Sequence, residues 1–134
     1  MSQEKRPLTH NAGGTLPSGE WTSFADMKDG LIRGTKYAHS SEQWFARFLK
    51  GKTREQLEEI CLKLGGRKME RRGDLNMFLP FLPYFPVLFC YWEPDDEFDA
   101  AGRFLLDRTA DHFLSIEDAV TVGEILQKQF EALT

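Results

Sequence analysis

The sequence predicts an α+β domain, with a mostly antiparallel sheet packed against a helical hairpin and a C-terminal helix. Helical apolar spacing fills residues 40–65 and returns after Ser115, while short strand-like runs occupy the stretch between. That order of helices, then strands, then a helix separates the two kinds of structure, as α+β domains do and alternating βαβ units do not. The third observation is the run Phe85 to Trp92, which offers no polar side and so reads as a strand buried on both faces.

Residues 1–20 are polar and rich in Gly, Pro, Ser and Thr, which predicts a flexible arm ahead of a single domain over 21–134. Trp21-Thr22-Ser23-Phe24 starts the ordered part as a short strand, and Gly30 and Gly34 punctuate the next stretch. Ser40 with Gln43 three residues on forms a capping-box pattern, followed by the stripe Trp44, Phe45, Phe48 and Leu49 and the stop Gly51. Thr53 with Gln56 repeats the pattern for a second helix carrying Leu57, Ile60, Cys61 and Leu64, which ends at Gly65-Gly66. So few residues join the two that they should pair as a hairpin.

Arg67–Glu70 reads as an edge strand, and Leu75–Leu79 as a short strand broken by Pro80 and Pro83. Phe85–Trp92 is the central strand and Gly102–Leu106 the next. A third helix starts at Ser115-Ile116-Glu117-Asp118, with Leu114 placed to staple against Ala119, and runs through Val120, Gly123, Leu126 and Phe130.

At 134 residues the chain suits one domain, and its eleven Phe, three Trp and three Tyr predict a ring-rich core. A net charge of −4 gives no electrostatic reason to expect nucleic acid or an anionic membrane as partner. No apolar stretch approaches the roughly 20 residues of a membrane span, and no apolar segment succeeds the N-terminus as in a signal peptide. Cys61 and Cys90 sit among apolar neighbours and read as small buried hydrophobes. The expected location is cytoplasmic.

The central strand runs directly into Glu93-Pro94-Asp95-Asp96-Glu97-Phe98-Asp99, five carboxylates in seven residues. A hard cation such as Ca²⁺ or Mg²⁺ needs several converging oxygens, and this turn could supply them with Asp107, Asp111 and His112. The candidate metal ligands are Asp96, Glu97, Asp107 and His112. No mid-loop glycine gives the turn an EF-hand spacing, and acid after a strand also serves to keep sheet edges apart. Asp107 paired with Asp96 or Glu97 is the one couple for acid–base chemistry; alternatively Asp107 accepts backbone N–H bonds from Thr109 and Ala110 as a turn or helix cap. The cap reading needs no substrate and explains the run 107–112 as local turn chemistry. Lys63, Arg67, Lys68, Arg71 and Arg72 form a basic run that reads as a solvated helix end or a contact for an acidic partner. No nucleophile elbow and no phosphate-binding fingerprint occur.

Leu82-Pro83-x-x-Pro86, Trp92-x-x-Asp95-Asp96-Glu97-Phe98, Leu105-Leu106-Asp107-Arg108-Thr109-Ala110 and Leu114-Ser115-Ile116-Glu117-Asp118 together resemble the uncharacterised domain-of-unknown-function family 3786 of anaerobic bacteria and archaea. Trp21-Thr22-Ser23-Phe24 and Leu64-Gly65-Gly66 add weaker matches, and the chain resembles a short form of that family. The resemblance implies no catalytic residues and names no cofactor. It does imply an association with iron–sulfur domains and corrinoid-linked one-carbon metabolism. The leading expectation is a non-catalytic accessory or binding domain. The alternatives are a metal-dependent enzyme or metal carrier using the acidic turn, and a domain that mainly pairs with a protein partner or a second copy of itself.

Overall fold

The computed structural model describes residues 19–69, 74–82, 85–112 and 114–134. Five strands form one antiparallel sheet: β1 (Trp21–Thr22), β2 (Arg67–Lys68), β3 (Leu75–Leu82), β4 (Phe85–Trp92) and β5 (Ala101–Asp107). Their order is β1-β5-β4-β3-β2, so the all-apolar strand is central and the two-residue strands are the edges. Helices α1 (Arg33–Phe48), α2 (Arg54–Lys63) and α3 (Ile116–Ala132) complete the α+β fold. Residues 1–18 of the expected arm, and Arg71 and Arg72 of the basic run, lie outside the described residues.

Side-chain alternation sorts the sheet into two faces. Leu75, Met77, Leu79, Val87, Phe89, Tyr91, Phe104 and Leu106 point to the helices and form the main core. Phe45 of α1, Phe89 of β4, Phe104 of β5 and Phe130 of α3 meet at its centre, with ring centroids 5.1–5.7 Å apart for Phe45–Phe104, Phe89–Phe130, Phe104–Phe130 and Phe45–Phe89. Helix α1 lies against β5 and α3, whereas α2 lies against β3 and β2. The two consecutive helices therefore stand side by side on the sheet and pack on it more than on each other.

The opposite face carries Leu88, Cys90 and Leu105, all buried, with Trp21. β1 and β3 are three strand spacings apart, about 14 Å, yet Trp21 and Phe78 meet edge to face at 6.3 Å. Their rings lean inward and roof the aliphatic residues between them, and the Arg67 guanidinium caps Phe78 at 4.4 Å. β4 is thus buried on both faces, as its composition requires.

Two element boundaries differ from the sequence reading. Helix α1 starts at Arg33, seven residues before the Ser40 pattern, with Ile32 in the cap position and no side-chain cap. Tyr37 is buried inside that first stretch, and Ser41 is a buried interior residue approached by the Gln127 amide at 3.5 Å. Tertiary contact, rather than a cap, sets this start. Gly34 allows it, because a Cβ there would overlap the Phe24 carbonyl group. Strand β3 continues through Pro80 to Leu82, with its register shifting between Leu79 and Leu82. Pro80 lies beyond the reach of β2, which pairs only with Met77 and Phe78, so its missing N–H interrupts no outer ladder.

The edge strand expected over Arg67–Glu70 covers Arg67–Lys68, with Glu70 outside the described residues, while the caps expected for α2 and α3 are both present. Thr53 caps α2 with a complete box, its hydroxyl accepting from the Gln56 N–H at 3.1 Å and its own N–H donating to the Gln56 side chain at 2.8 Å. Ser115 caps α3 by accepting from the Asp118 N–H at 3.2 Å. Cys61 and Cys90 are buried on opposite faces of the sheet.

Candidate functional site

The acidic turn is built by its own backbone. The Asp95 carboxylate accepts from the N–H groups of Glu97 and Phe98, both at 2.8 Å, and the Asp95 N–H donates to the Phe98 carbonyl at 2.9 Å. The bonds from Phe98 and then Glu97 hold the Asp95 carboxyl below its ordinary range. At the stem, Asp74 accepts from the Glu93 N–H, and Arg54 lies 3.8 Å from the half-exposed Glu93 carboxylate. Asp96, Glu97 and Asp99 are exposed, and Phe98 is 70% exposed beside them.

Asp107 belongs to a different place. It ends β5, and six residue steps of about 3.3 Å put it roughly 20 Å along the strand from Ala101, where the acidic turn returns. Its carboxylate is fully buried and accepts from the Thr109 N–H at 2.9 Å, the Thr109 hydroxyl at 2.7 Å and the Gly19 N–H at 2.9 Å. It organises the 3₁₀ turn Arg108–His112 and ties down the chain entering β1. This is the capping role, with the Thr109 hydroxyl and Gly19 as donors. Asp111 accepts from the Lys28 N–H at 3.0 Å, and His112 is exposed at the end of the same turn. The structure therefore does not bring Asp96 and Glu97 together with Asp107 and His112. Among the described residues no three His, Cys, Asp or Glu side chains are grouped to hold a metal ion.

The basic run is met by its own helix: Lys63 lies 3.8 Å from Glu59 and Lys68 3.8 Å from Glu58. Burial, helped by the Glu58 charge, pushes the Cys61 thiol far up, so it stays protonated and unreactive at neutral pH. Among the described residues no helix is long and apolar enough to cross a membrane.

A groove opens where the acidic turn rejoins the sheet. It has a volume of about 650 Å³ and lies between α1, the segment after β1 and the first residues of β5. Phe24, Ala38, Ala46, Trp92, Ala100 and Phe104 give it apolar walls, and Ser23, Thr35, His39, Glu42 and Arg103 supply polar groups. That size and mixture suit a bound ligand or peptide side chains. The groove reaches the end of β4 through Trp92, Ala100 and Ala101, and none of the carboxylates of the acidic turn lines it. Reading along the chain misses His39, Glu42 and Arg103 because distant parts of the sequence contribute them. The one available signal is Arg103, a lone charge within the otherwise uncharged run Ala101–Leu106.

No match is found among curated proteins or among solved structures. The model of one family, described as Domain of unknown function (DUF3786), covers residues 8–129. With a match running from residue 8 almost to the end of α3, the chain belongs to the DUF3786 family.

Proposed function

We propose that this chain is a non-catalytic accessory domain of the cytoplasm that binds a partner in the groove between α1 and the start of β5. The observation that carries this reading is the groove itself, with apolar walls and a small set of polar groups at the sheet edge. The arrangement of carboxylates argues in the same direction: Asp107 spends its oxygens on the fold, and the acidic turn faces outward. The association of similar domains with iron–sulfur and corrinoid proteins of anaerobes suggests the setting. Two buried cysteines on opposite faces of the sheet make a cluster on this chain a poor fit, so such a centre would sit on the partner.

Native mass spectrometry of protein purified without oxygen or chelator tests the reading, with Ala38→Trp filling the groove and Asp96→Asn/Glu97→Gln neutralising the turn. A stoichiometric added mass, small molecule or polypeptide, that is lost in Ala38→Trp alone is the expected result. An added metal lost only in the turn variant would make the acidic turn the site. Bare chains in all three preparations would overturn the binding role.

A further inference from the structure

Strand β5 is covered along its outer side for only part of its length. β1 pairs with Asp107 and Leu106 and then turns away at Ser23, while β5 continues back to Ala101. Among the described residues no strand lies beside Ala101–Leu105 on that side. A strand edge of this kind presents unpaired N–H and C=O groups to any extended chain that reaches it.

Grooves flank this edge on both faces of the sheet. The 650 Å³ groove on the α1 side meets the edge through Gly102 and Phe104. A second, polar one of about 380 Å³ lies on the opposite face, lined by Trp21, Ser23, Asp26, Arg103, Leu105 and Arg108. Ser23 and Arg103 line both, so the two adjoin at this edge, and an extended chain laid along β5 would occupy them as one channel.

We propose that this channel receives an extended peptide segment of a partner protein, which adds to the sheet as a strand in line with β1. The inference rests on the binding role proposed above and names its partner class. Side chains of an added strand alternate between faces, so the channel specifies their chemistry. Residues turned to α1 meet Phe24, Ala38, Ala46 and Phe104 and should be small and apolar. Residues turned the other way meet Arg103, which stands closest to the middle of the open edge, with Asp26 and with Arg108, the latter 3.8 Å from an exposed Glu20. Those positions favour Glu or Asp. A second copy of the same edge is a poor occupant: antiparallel pairing centred on Arg103 would set that arginine opposite itself, and like charges directly opposed are unfavourable.

The test uses an isotope-labelled full chain and two capped eight-residue peptides, one alternating Val with Glu and one alternating Val with Lys. The Val/Glu peptide should shift the amide resonances of residues 101–105 and slow their hydrogen exchange, and should bind at least tenfold tighter than the Val/Lys peptide. Arg103→Glu, a surface substitution that leaves the core intact, should invert that preference. Methylating alternate backbone nitrogens of the Val/Glu peptide should abolish binding in one of the two possible registers. Absence of shifts at 101–105 with either peptide would overturn strand addition. If native mass spectrometry still showed a groove-bound molecule lost in Ala38→Trp, the binding role would survive that failure; if it showed none, both would fall.

Discussion

Asp107 shows how much a single residue can be asked to do by its neighbours. A carboxylate buried this completely is costly unless its oxygens are met, and here Thr109 and Gly19, from two parts of the chain, donate to them. The local half of this arrangement is legible in the sequence, since Asp-x-Thr spacing is that of a side chain bonding the backbone two residues on. The Gly19 bond is not legible, because it joins residues 88 positions apart. Asp107→Ala should lower stability by about 3–5 kcal/mol, since it strands buried donors. Urea denaturation checks this, and the peptide affinity of the molecules that remain folded should be unchanged. A loss below about 1 kcal/mol would show that the donors find other acceptors and that the carboxylate is kept for another purpose.

At the scale of elements, local signals succeed where the backbone satisfies itself and fail where another element decides. Thr53 and Ser115 cap their helices as the spacing indicates, because a cap needs only the next three residues. The start of α1 depends instead on its crossing with α3. There the buried Tyr37 hydroxyl faces Gly123 and makes no well-formed hydrogen bond, with Ser41 offering only a weak contact. Burial raises its pKa far above the ordinary phenol value. A Cβ at Gly123 would overlap that hydroxyl and sit 2.6 Å from the ring carbon bearing it. Gly123→Ala gains helix propensity, worth about 1 kcal/mol on its own, but must push a packed ring aside. The clash should win, with a net loss of about 1–3 kcal/mol in chemical denaturation. Tyr37→Phe should be nearly neutral or stabilising, because it removes a poorly paired buried hydroxyl. In the Tyr37→Phe background the penalty of Gly123→Ala should shrink, which a double-mutant cycle measures. An undiminished penalty would place the strain in the helix backbone rather than at this contact.

For the whole molecule, composition announces the fold through one strand. A run with no polar side has to be central, and centrality of β4 orders the sheet around it. What the sequence does not announce is that one face is covered by helices and the other by the side chains of Trp21 and Phe78, because that roof depends on strand order. The groove is hidden for the same reason, being formed where β1 leaves β5. The two cysteines report on whether such unequal faces open separately. Cys61 lies under α2 in the main core, and Cys90 lies beneath the aromatic roof. Their surroundings suggest that Cys90 should label first. Yet Cys90 stands on β4 between Phe89 and Tyr91, which both point into the main core, so the strand cannot leave one face without emptying the other. Both thiols should therefore react with a thiol reagent at the same rate, and that rate should track global stability as urea rises. Prompt labelling of Cys90 with Cys61 still protected would mean that the roof opens by side-chain rotation alone, and that the second face is the looser half of the fold.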